Sequence, residues 1–509
     1  MPAARPLDPD AADLPRLRAV LEGHGFLGDG VRQAVGSQIG PAHLRRDLPL
    51  YLRRLEARAP LNILIKMLSL GQWVAEEEAS SAVAPVPIES LLAAGLLERG
   101  PQGLRGLVEL VVHRDLLLAH DRFNPERGAD LAPDHVLGTN APALLLDSLT
   151  VRRDVREALD VGCGGGVQSF LAARHSQRVV SVDKNPRALA FLRFNARLNG
   201  VTNVEPLEGD LFAPVAGRRF GLVVCNPPYV ISPDTRCAFM DSGRPLDSIC
   251  EEVVRRAAEH LEEGGFASVL CNWALRAGED WAEPLRRWVA GRGCDAWLLR
   301  GDLQDPLSYA AVWNRSREGR DYGLALDRWR DYYREAGIES VAAGAVILRR
   351  RAAAANWVRA DVLPGEPSGP CHDHILRILA GEDFLAAGDD DEGLLAHAFR
   401  LVDDHRLTQV LRRREGRFVV EEAEIRLEGG LGFRGTVDPA TLHLFQRCDG
   451  LRPAAAVAAE LSRTPGADPA EVRSAVAATI RKLVAVGFLV PDEARGRPSG
   501  GKEDQAWKT

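Results

Sequence analysis

The chain has 509 residues, too many for one ordinary hydrophobic core, and length alone points to about three domains. Its apolar content of 46% and charged content of 27% are those of a water-soluble globular protein, and no run reaches the ~18 apolar residues of a membrane span. A net charge of −7 argues against a broad basic face, so any contact with nucleic acid has to be local.

The first residues alternate charged and apolar positions without the apolar core of a signal peptide, so a cytoplasmic location is expected. Eight cysteines, at positions 163, 225, 237, 250, 271, 294, 371 and 448, form no C-x-x-C pair and read as reduced, mostly buried thiols.

Residues 1–134 open with three stretches of helical spacing, LPRLRAVLEGHGF, AHLRRDLPLYLRRLEAR and PLNILIKMLSLG. A short helix, PIESLLAAGLLERG, follows, and then two β-rich runs broken at His113-Arg114. Helices followed by a two-stranded ribbon suggest a winged-helix-like module for substrate recognition; the same pattern serves a packing or dimerisation domain. Arg45, Arg46, Arg53, Arg54 and Arg58 lie on one helical stretch and form either a solvated face or a substrate contact, with Asp47 and Glu56 diluting the charge. Residues 121–150, with Pro and Gly breaks and then a short helix, mark the entry into the next domain.

Residues 135–356 alternate apolar runs with helical segments. EALDV, RVVSVD, VEPLE, FGLVVC, FASVLCNW, CDAWLLR and IESVAAGAVILRRR predict seven strands of an α/β, mostly parallel sheet. LDSICEEVVRRAAEHLEEGG is expected as one of the covering helices. Chemistry is expected at the carboxyl ends of the strands, where open α/β sheets bind ligands. The first strand ends in Asp160 and a turn holding Gly162, Cys163, Gly164 and Gly166, whose G-x-G-x-G spacing fits a pyrophosphate cradle poorly. The second ends in Asp183-Lys184, where a carboxylate can accept both hydroxyls of a ribose. After the third come Asp210 and Leu211, placed for an adenine amino group and a ring nitrogen.

The fourth strand runs into Asn226-Pro227-Pro228-Tyr229. A nitrogen conjugated to a carbonyl or an aromatic ring becomes nucleophilic only as it pyramidalises, and two acceptors on its hydrogens favour that change. The Asn226 side-chain oxygen and the Pro227 carbonyl are the candidate acceptors. Consecutive prolines hold the backbone still, and Tyr229 offers a flat face for stacking. The bland alternative is a rigid Pro-Pro turn with a capping Asn. Asn140 can approach the ligand or cap a helix, and Cys237 and Asp241 sit in a loop just past the tetrapeptide.

Together, the glycine turn, the three strand-end acids and the tetrapeptide resemble a class I S-adenosylmethionine-dependent methyltransferase over roughly residues 135–350. The resemblance implies S-adenosylmethionine as cofactor, with the glycine turn against its methionine part, Asp183 on the ribose and Asp210 on the adenine. It also implies a reversed last strand. N-P-P-Y is similar to the motif of amino-group methyltransferases acting on adenine N6, guanine N2 of rRNA or the glutamine of translation release factors. GDLFAPVAGRRFGLVVCNPPYV and DSGRPLDSICEEVVRRA are most similar to the release-factor enzymes. Those enzymes are shorter, and the proline usual after their motif is replaced by Val230-Ile231-Ser232. A methyl group passed to a planar nitrogen of RNA, DNA or a translation-related protein is the implied activity, with a nucleic-acid base slightly ahead of protein glutamine. A cofactor-sensing regulatory protein without catalysis is the alternative.

Residues 357–491 read as an α+β, winged-helix-like module, ending in three helical stretches and a short β-run that closes at Pro491, and residues 492–509 as a disordered tail. Cys371-His372-Asp373-His374 has metal-ligand residue types but no second cluster, so no metal is expected. Oligomeric state is left open.

Overall fold

The computed structural model describes residues 7–36, 41–122, 131–235, 239–367, 369–388, 390–463 and 466–492. Cys237, the tail from 493 and the side chains of Arg45 and Arg46 lie outside the described residues. By internal contacts the chain divides into two compact units, Met1–Val362 and Leu363–Thr509.

The first unit begins with helices α1 (Leu14–Gly23), α2 (Gly30–Val35), α3 (Pro41–Arg54) and α4 (Pro60–Leu64), a π-helical turn at Ile65–Ser69, α5 (Glu76–Val83) and α6 (Ile88–Ala93). Two hairpins follow, β1 (Leu97–Gly100) with β2 (Gly103–Gly106) and β3 (Val108–His113) with β4 (Leu116–Asp121). Only the second hairpin was legible in the sequence; LLERG, expected as the end of a helix, supplies strand β1 instead. Arg53 donates to the Pro49 carbonyl at 3.0 Å and Arg58 pairs with Glu78 at 3.2 Å.

The large sheet then builds around α7 (Ala141–Leu149), β5 (Val155–Val161), α8 (Val167–Ala173), β6 (Ser176–Asp183), α9 (Pro186–Leu198), β7 (Val204–Glu208), β8 (Phe220–Cys225), α10 (Ser248–Glu259), β9 (Leu261–Leu275), α11 (Glu283–Val289), β10 (Cys294–Gln304), α12 (Pro306–Asn314), α13 (Gly319–Glu335), β11 (Ser340–Arg350) and β12 (Val358–Val362). Its order is β12-β10-β11-β9-β8-β5-β6-β7. Five of the seven pairings are parallel, and β11 alone runs against both neighbours. All seven expected strands are present, with one of them reversed. The eighth, β12, was not expected: Arg359 and Asp361 make it look like a polar turn, a composition an edge strand tolerates.

The helix expected to run to Gly265 stops at Glu259, because Leu261 already pairs with Phe220. Gly265 has no room for a side chain there; a Cβ would come within 3.0 Å of the Phe220 carbonyl. The strands are apolar on both faces: β8 and the centre of β9 bury nearly every side chain, as a sheet covered by helices requires. Helix α9 is shared between cores, since Phe191, Phe194 and Leu198 pack with the N-terminal helices. Its start is a local signal in the sequence: Asn185 accepts a hydrogen bond from the Arg187 amide at 3.0 Å, and Pro186 occupies the first turn.

The second unit holds α14 (His372–Ala386), α15 (Asp391–Ala396), β13 (Ala398–Leu401), β14 (His405–Arg414), β15 (Arg417–Leu427), β16 (Arg434–Thr436), α16 (Pro439–Phe445), β17 (Asp449–Pro453), α17 (Ala454–Leu461), α18 (Pro469–Ala485) and β18 (Leu489–Pro491). Its strands form two three-stranded sheets, β17-β13-β18 and β14-β15-β16. The three expected helices and the final short strand are found as α16, α17, α18 and β18. Among the described residues, no helix of either unit is long and apolar enough to cross a membrane.

Candidate functional site

A cavity of about 380 Å³ opens at the carboxyl ends of β5, β6 and β8, within the range of roughly 300–1,000 Å³ common to small-molecule sites. Its wall includes Asp160, Gly162, Cys163, Gly164, Asp183, Lys184, Asp210, Leu211 and all of Asn226-Pro227-Pro228-Tyr229. Strand ends far apart in sequence thus converge on one space.

The glycine turn is shaped by backbone requirements. Gly162 and Gly164 have φ of +73° and +53°, and a Cβ on Gly164 would meet no protein atom within 4 Å. That missing side chain leaves room for a ligand against the backbone. Gly166 has a different duty. It does not line the cavity; a Cβ there would lie 2.3 Å from Leu192 and 2.7 Å from Phe170, so its place in the motif reflects packing of α8 against α9. Gly165, passed over in the sequence, lines the wall in its stead.

Asp160 is buried, and Ser169 donates to its Oδ2 at 2.6 Å while Ser181 donates to Ser169 at 2.8 Å. Burial pushes this carboxyl up to about 7, Ser169 pulling it down and the nearby Asp183 raising it further. Asp183 accepts from the Gly164 amide through Oδ2 and from the Asn185 amide through Oδ1, both at 2.9 Å. Burial raises its pKa as well, against those two bonds. Burial likewise holds the Cys163 thiol far above its ordinary value, so it is neutral wall rather than a nucleophile. Asp210 is more open and lies 3.4 Å from Arg244, and Leu211 takes a left-handed φ of +48°.

Asn226 has the feature most informative about chemistry: its Oδ1 is buried on the cavity wall, with no hydrogen-bond partner among the described residues. A buried orphan acceptor costs roughly 1–3 kcal/mol, so its persistence needs a reason. Pro227 beside it is buried, and Tyr229 is largely so, burial raising its hydroxyl well above the ordinary value. Tyr229 bridges Asp241, and the Val230 amide donates to Met240 at 3.2 Å, so the chain returning after the tetrapeptide closes its outer side.

Much of the wall was not foreseen. Leu118, Ala119 and His120 come from β4, and His135 to Thr139 from the loop before α7. Asn195 stitches the hairpin to the glycine turn, with Ala119 donating to its Oδ1 at 2.8 Å and its amide donating to Ala119 and Gly165 at 3.0 and 2.9 Å. Phe239, Met240 and Trp313 enter from the loop after the tetrapeptide and from α12. No local signal marks these residues, which are brought in by tertiary packing alone. Asn140 both lines the cavity and caps α7, accepting from Ala143 at 3.0 Å. In the second unit, both His374 ring nitrogens are occupied, by the Val486 carbonyl and the Leu431 amide at 3.2 Å each.

The wall suits the cofactor implied by the motif. The open backbone at Gly164 admits a ligand, and three strand-end carboxylates favour a cation. The orphan Asn226 acceptor awaits a donor.

Residues 139–286 match the family described as the methyltransferase small domain, and residues 23–107 match a domain of unknown function, DUF7059. A Methanocaldococcus jannaschii protein, named provisionally as a protein N5-glutamine methyltransferase, is 33% identical over 25% of this chain and 66% of its own length. A Geobacter sulfurreducens release factor glutamine methyltransferase is 34% identical over 22% of this chain and 43% of its own. The ribosomal RNA small subunit methyltransferase C of Escherichia coli is 33% identical over 25% of this chain and 34% of its own. The chain therefore spans between about a third and two thirds of the length of these curated relatives. The segment 139–286, which carries every strand-end residue described above, matches the methyltransferase small domain.

Proposed function

We propose that the chain is an S-adenosylmethionine-dependent N-methyltransferase acting on a planar amino or amide nitrogen of a macromolecule. The observation that carries this reading is the buried Oδ1 of Asn226, without a partner among the described residues, on the wall shared with Asp183 and the glycine turn. When bound, S-adenosylmethionine supplies an electrophilic methyl group on a sulfonium. Gly162 and Gly164 would lie against its methionine part, Asp183 would accept from its ribose, and Asp210 with Leu211 would receive its adenine. Asn226 and the Pro227 carbonyl accept from the acceptor nitrogen's hydrogens as it pyramidalises, and Tyr229 stacks on its plane. A purely cofactor-sensing protein would have no use for an orphan acceptor beside the ligand.

The curated relatives are named for glutamine and for ribosomal RNA, and both acceptors carry the planar nitrogen this geometry suits. A nucleic-acid base is placed slightly ahead. In support, the second unit sets α17 and α18 beside the small sheet β17-β13-β18, an arrangement compatible with a winged-helix-like grip on substrate. Such a substrate places the work in the cytoplasm.

The test is Asn226→Ala with labelled S-adenosylmethionine and an extract of cells lacking the gene. Label transfer should fall at least about 100-fold, as when one preorganised transition-state contact is removed, while cofactor affinity stays near that of the parent. Undiminished transfer would remove the proposed role of the tetrapeptide. Nuclease and protease digestion of the labelled extract then separates base from glutamine.

A further inference from the structure

The second unit carries a feature that the methyl-transfer reading does not use. Strands β14 and β15 pair from His405↔Leu427 to Arg414↔Arg417, and the base of this hairpin is anchored through buried Ala423, Ile425 and Leu427. Beyond the anchor, every residue from Val410 to Glu422 is exposed. At ~3.4 Å per residue, the free part projects about 20 Å. Its tip turns through Glu415 and Gly416, both with positive φ (+50° and +81°), the geometry of a tight two-residue hairpin turn.

The pairing register assigns the side chains to two faces. Leu411↔Val420 and Arg413↔Phe418 share one face, and Arg412↔Val419 and Arg414↔Arg417 share the other. The first face sets Leu411, Val420 and Phe418 around Arg413, while Val419 lies on the second face opposite Arg412. Phe418 is 70% exposed, and Val410, Leu411, Val419 and Val420 are also among the exposed large apolar side chains, concentrated in this one hairpin. Exposed apolar clusters of this kind mark binding surfaces. The second face is cationic: Arg412 and Arg414 share Glu421 at 3.2 and 3.5 Å, and no described residue pairs with the Arg417 side chain. Between Leu411 and Val420 stand four arginines and one glutamate, in a chain whose net charge is −7.

We propose that this hairpin binds single-stranded nucleic acid, its arginine face on phosphates and Phe418 with Arg413 stacked on a base. Guanidinium groups match phosphate geometry, and an aromatic face takes any base. A purely apolar partner would leave the arginines unmatched, and an acidic one would leave Phe418 without a ring to stack on. The inference stands apart from the methyl-transfer reading, since binding is measured without turnover.

The experiment is fluorescence anisotropy of the full chain with labelled 20-nucleotide oligouridylate and oligothymidylate, across a salt series. The parent should bind, and Phe418→Ala should weaken binding about tenfold. The triple variant R412A/R414A/R417A should reduce the slope of log affinity against log salt by about 2, near 0.7 per lost phosphate contact. Tighter binding of one oligonucleotide tells RNA from DNA as the source of the same chemistry. Equal affinities of parent and variants, or no binding by the parent, would overturn the proposal. Variants that lose binding to poly-glutamate but keep oligonucleotide binding would also overturn it, assigning the surface to an acidic protein. Thermal melting of each variant should match the parent, since every substituted side chain is exposed.

Discussion

Asp160 and Asp183 close neighbouring strands and look alike in sequence, but their surroundings divide their work. Asp183 is met by the amides of Gly164 and Asn185, which favour its ionised form; Asp160 is met by Ser169, is fully buried and lies near Asp183, and its carboxyl is pushed up to about 7. The consequence has a definite sign. Below pH 7 the Asp160 carboxyl is mostly neutral, and above it mostly ionised, so attraction for a cationic ligand grows as pH rises through 7. Affinity for S-adenosylmethionine should therefore strengthen between pH 6 and 8, by at most about tenfold, the change in ionised fraction for a pKa near 7. Titration calorimetry across that range checks it, and Asp160→Asn should flatten the profile. An unchanged slope in that variant would move the dependence to another group. At this scale the sequence was readable wherever a residue's duty is local. Asn226 and Asp183 line the cavity at the strand ends expected of them, whereas Gly166, further along the same glycine run, takes a φ of +94° and is crowded by Leu192 and Phe170.

Between strands and helices, the segment just past the tetrapeptide is held by contacts the motif does not reveal. Ile231, two residues past Tyr229, is bound on both sides: the Tyr309 hydroxyl accepts from its amide at 3.2 Å, and Tyr333 donates to its carbonyl at 2.6 Å. Tyr309 also accepts from Asn272 on β9 at 2.7 Å, which ties α12 and α13 to the sheet through the loop they clamp. Tyr309→Phe or Tyr333→Phe leaves a buried amide or carbonyl without a partner and should cost about 1–3 kcal/mol each in chemical denaturation. If the clamp positions Asn226, turnover should fall further than stability explains, with cofactor affinity unchanged; normal turnover in both variants would confine it to structure. The βα alternation that builds the sheet was legible because apolar runs and helical spacing are local patterns. The tyrosine clamp was not, since residues some 80 to 100 positions apart meet only through the fold. The same holds for Trp313 and for β4, which contribute to the cavity from α12 and from the N-terminal hairpin.

Across the whole molecule, the division between units falls after β12, a strand that composition disguises as a linker. Its contribution is specific. Trp297, fully buried, donates its indole N–H to Asp361 at 2.7 Å and lies under Arg359, whose guanidinium carbon is 5.4 Å from the ring centroid. Just ahead of the strand, the Trp357 amide and Asn356 reach Asp295 at 3.2 Å each. That carboxyl, despite burial that pushes it up, is held below its ordinary range by Arg351, Arg349 and Asn356. A chain ended at Val362 keeps all of these contacts and should fold and bind S-adenosylmethionine as the full chain does. One ended at Asn356 would uncover Trp297, orphan its indole N–H at a cost of roughly 1–3 kcal/mol, and bare the β10 edge. Its melting temperature should lie about 1–4 °C below that of the longer truncation, measured by calorimetry with and without cofactor. Equal melting temperatures would show that β12 adds nothing to the sheet; failure of the longer chain to fold would show that the first unit depends on residues beyond Val362.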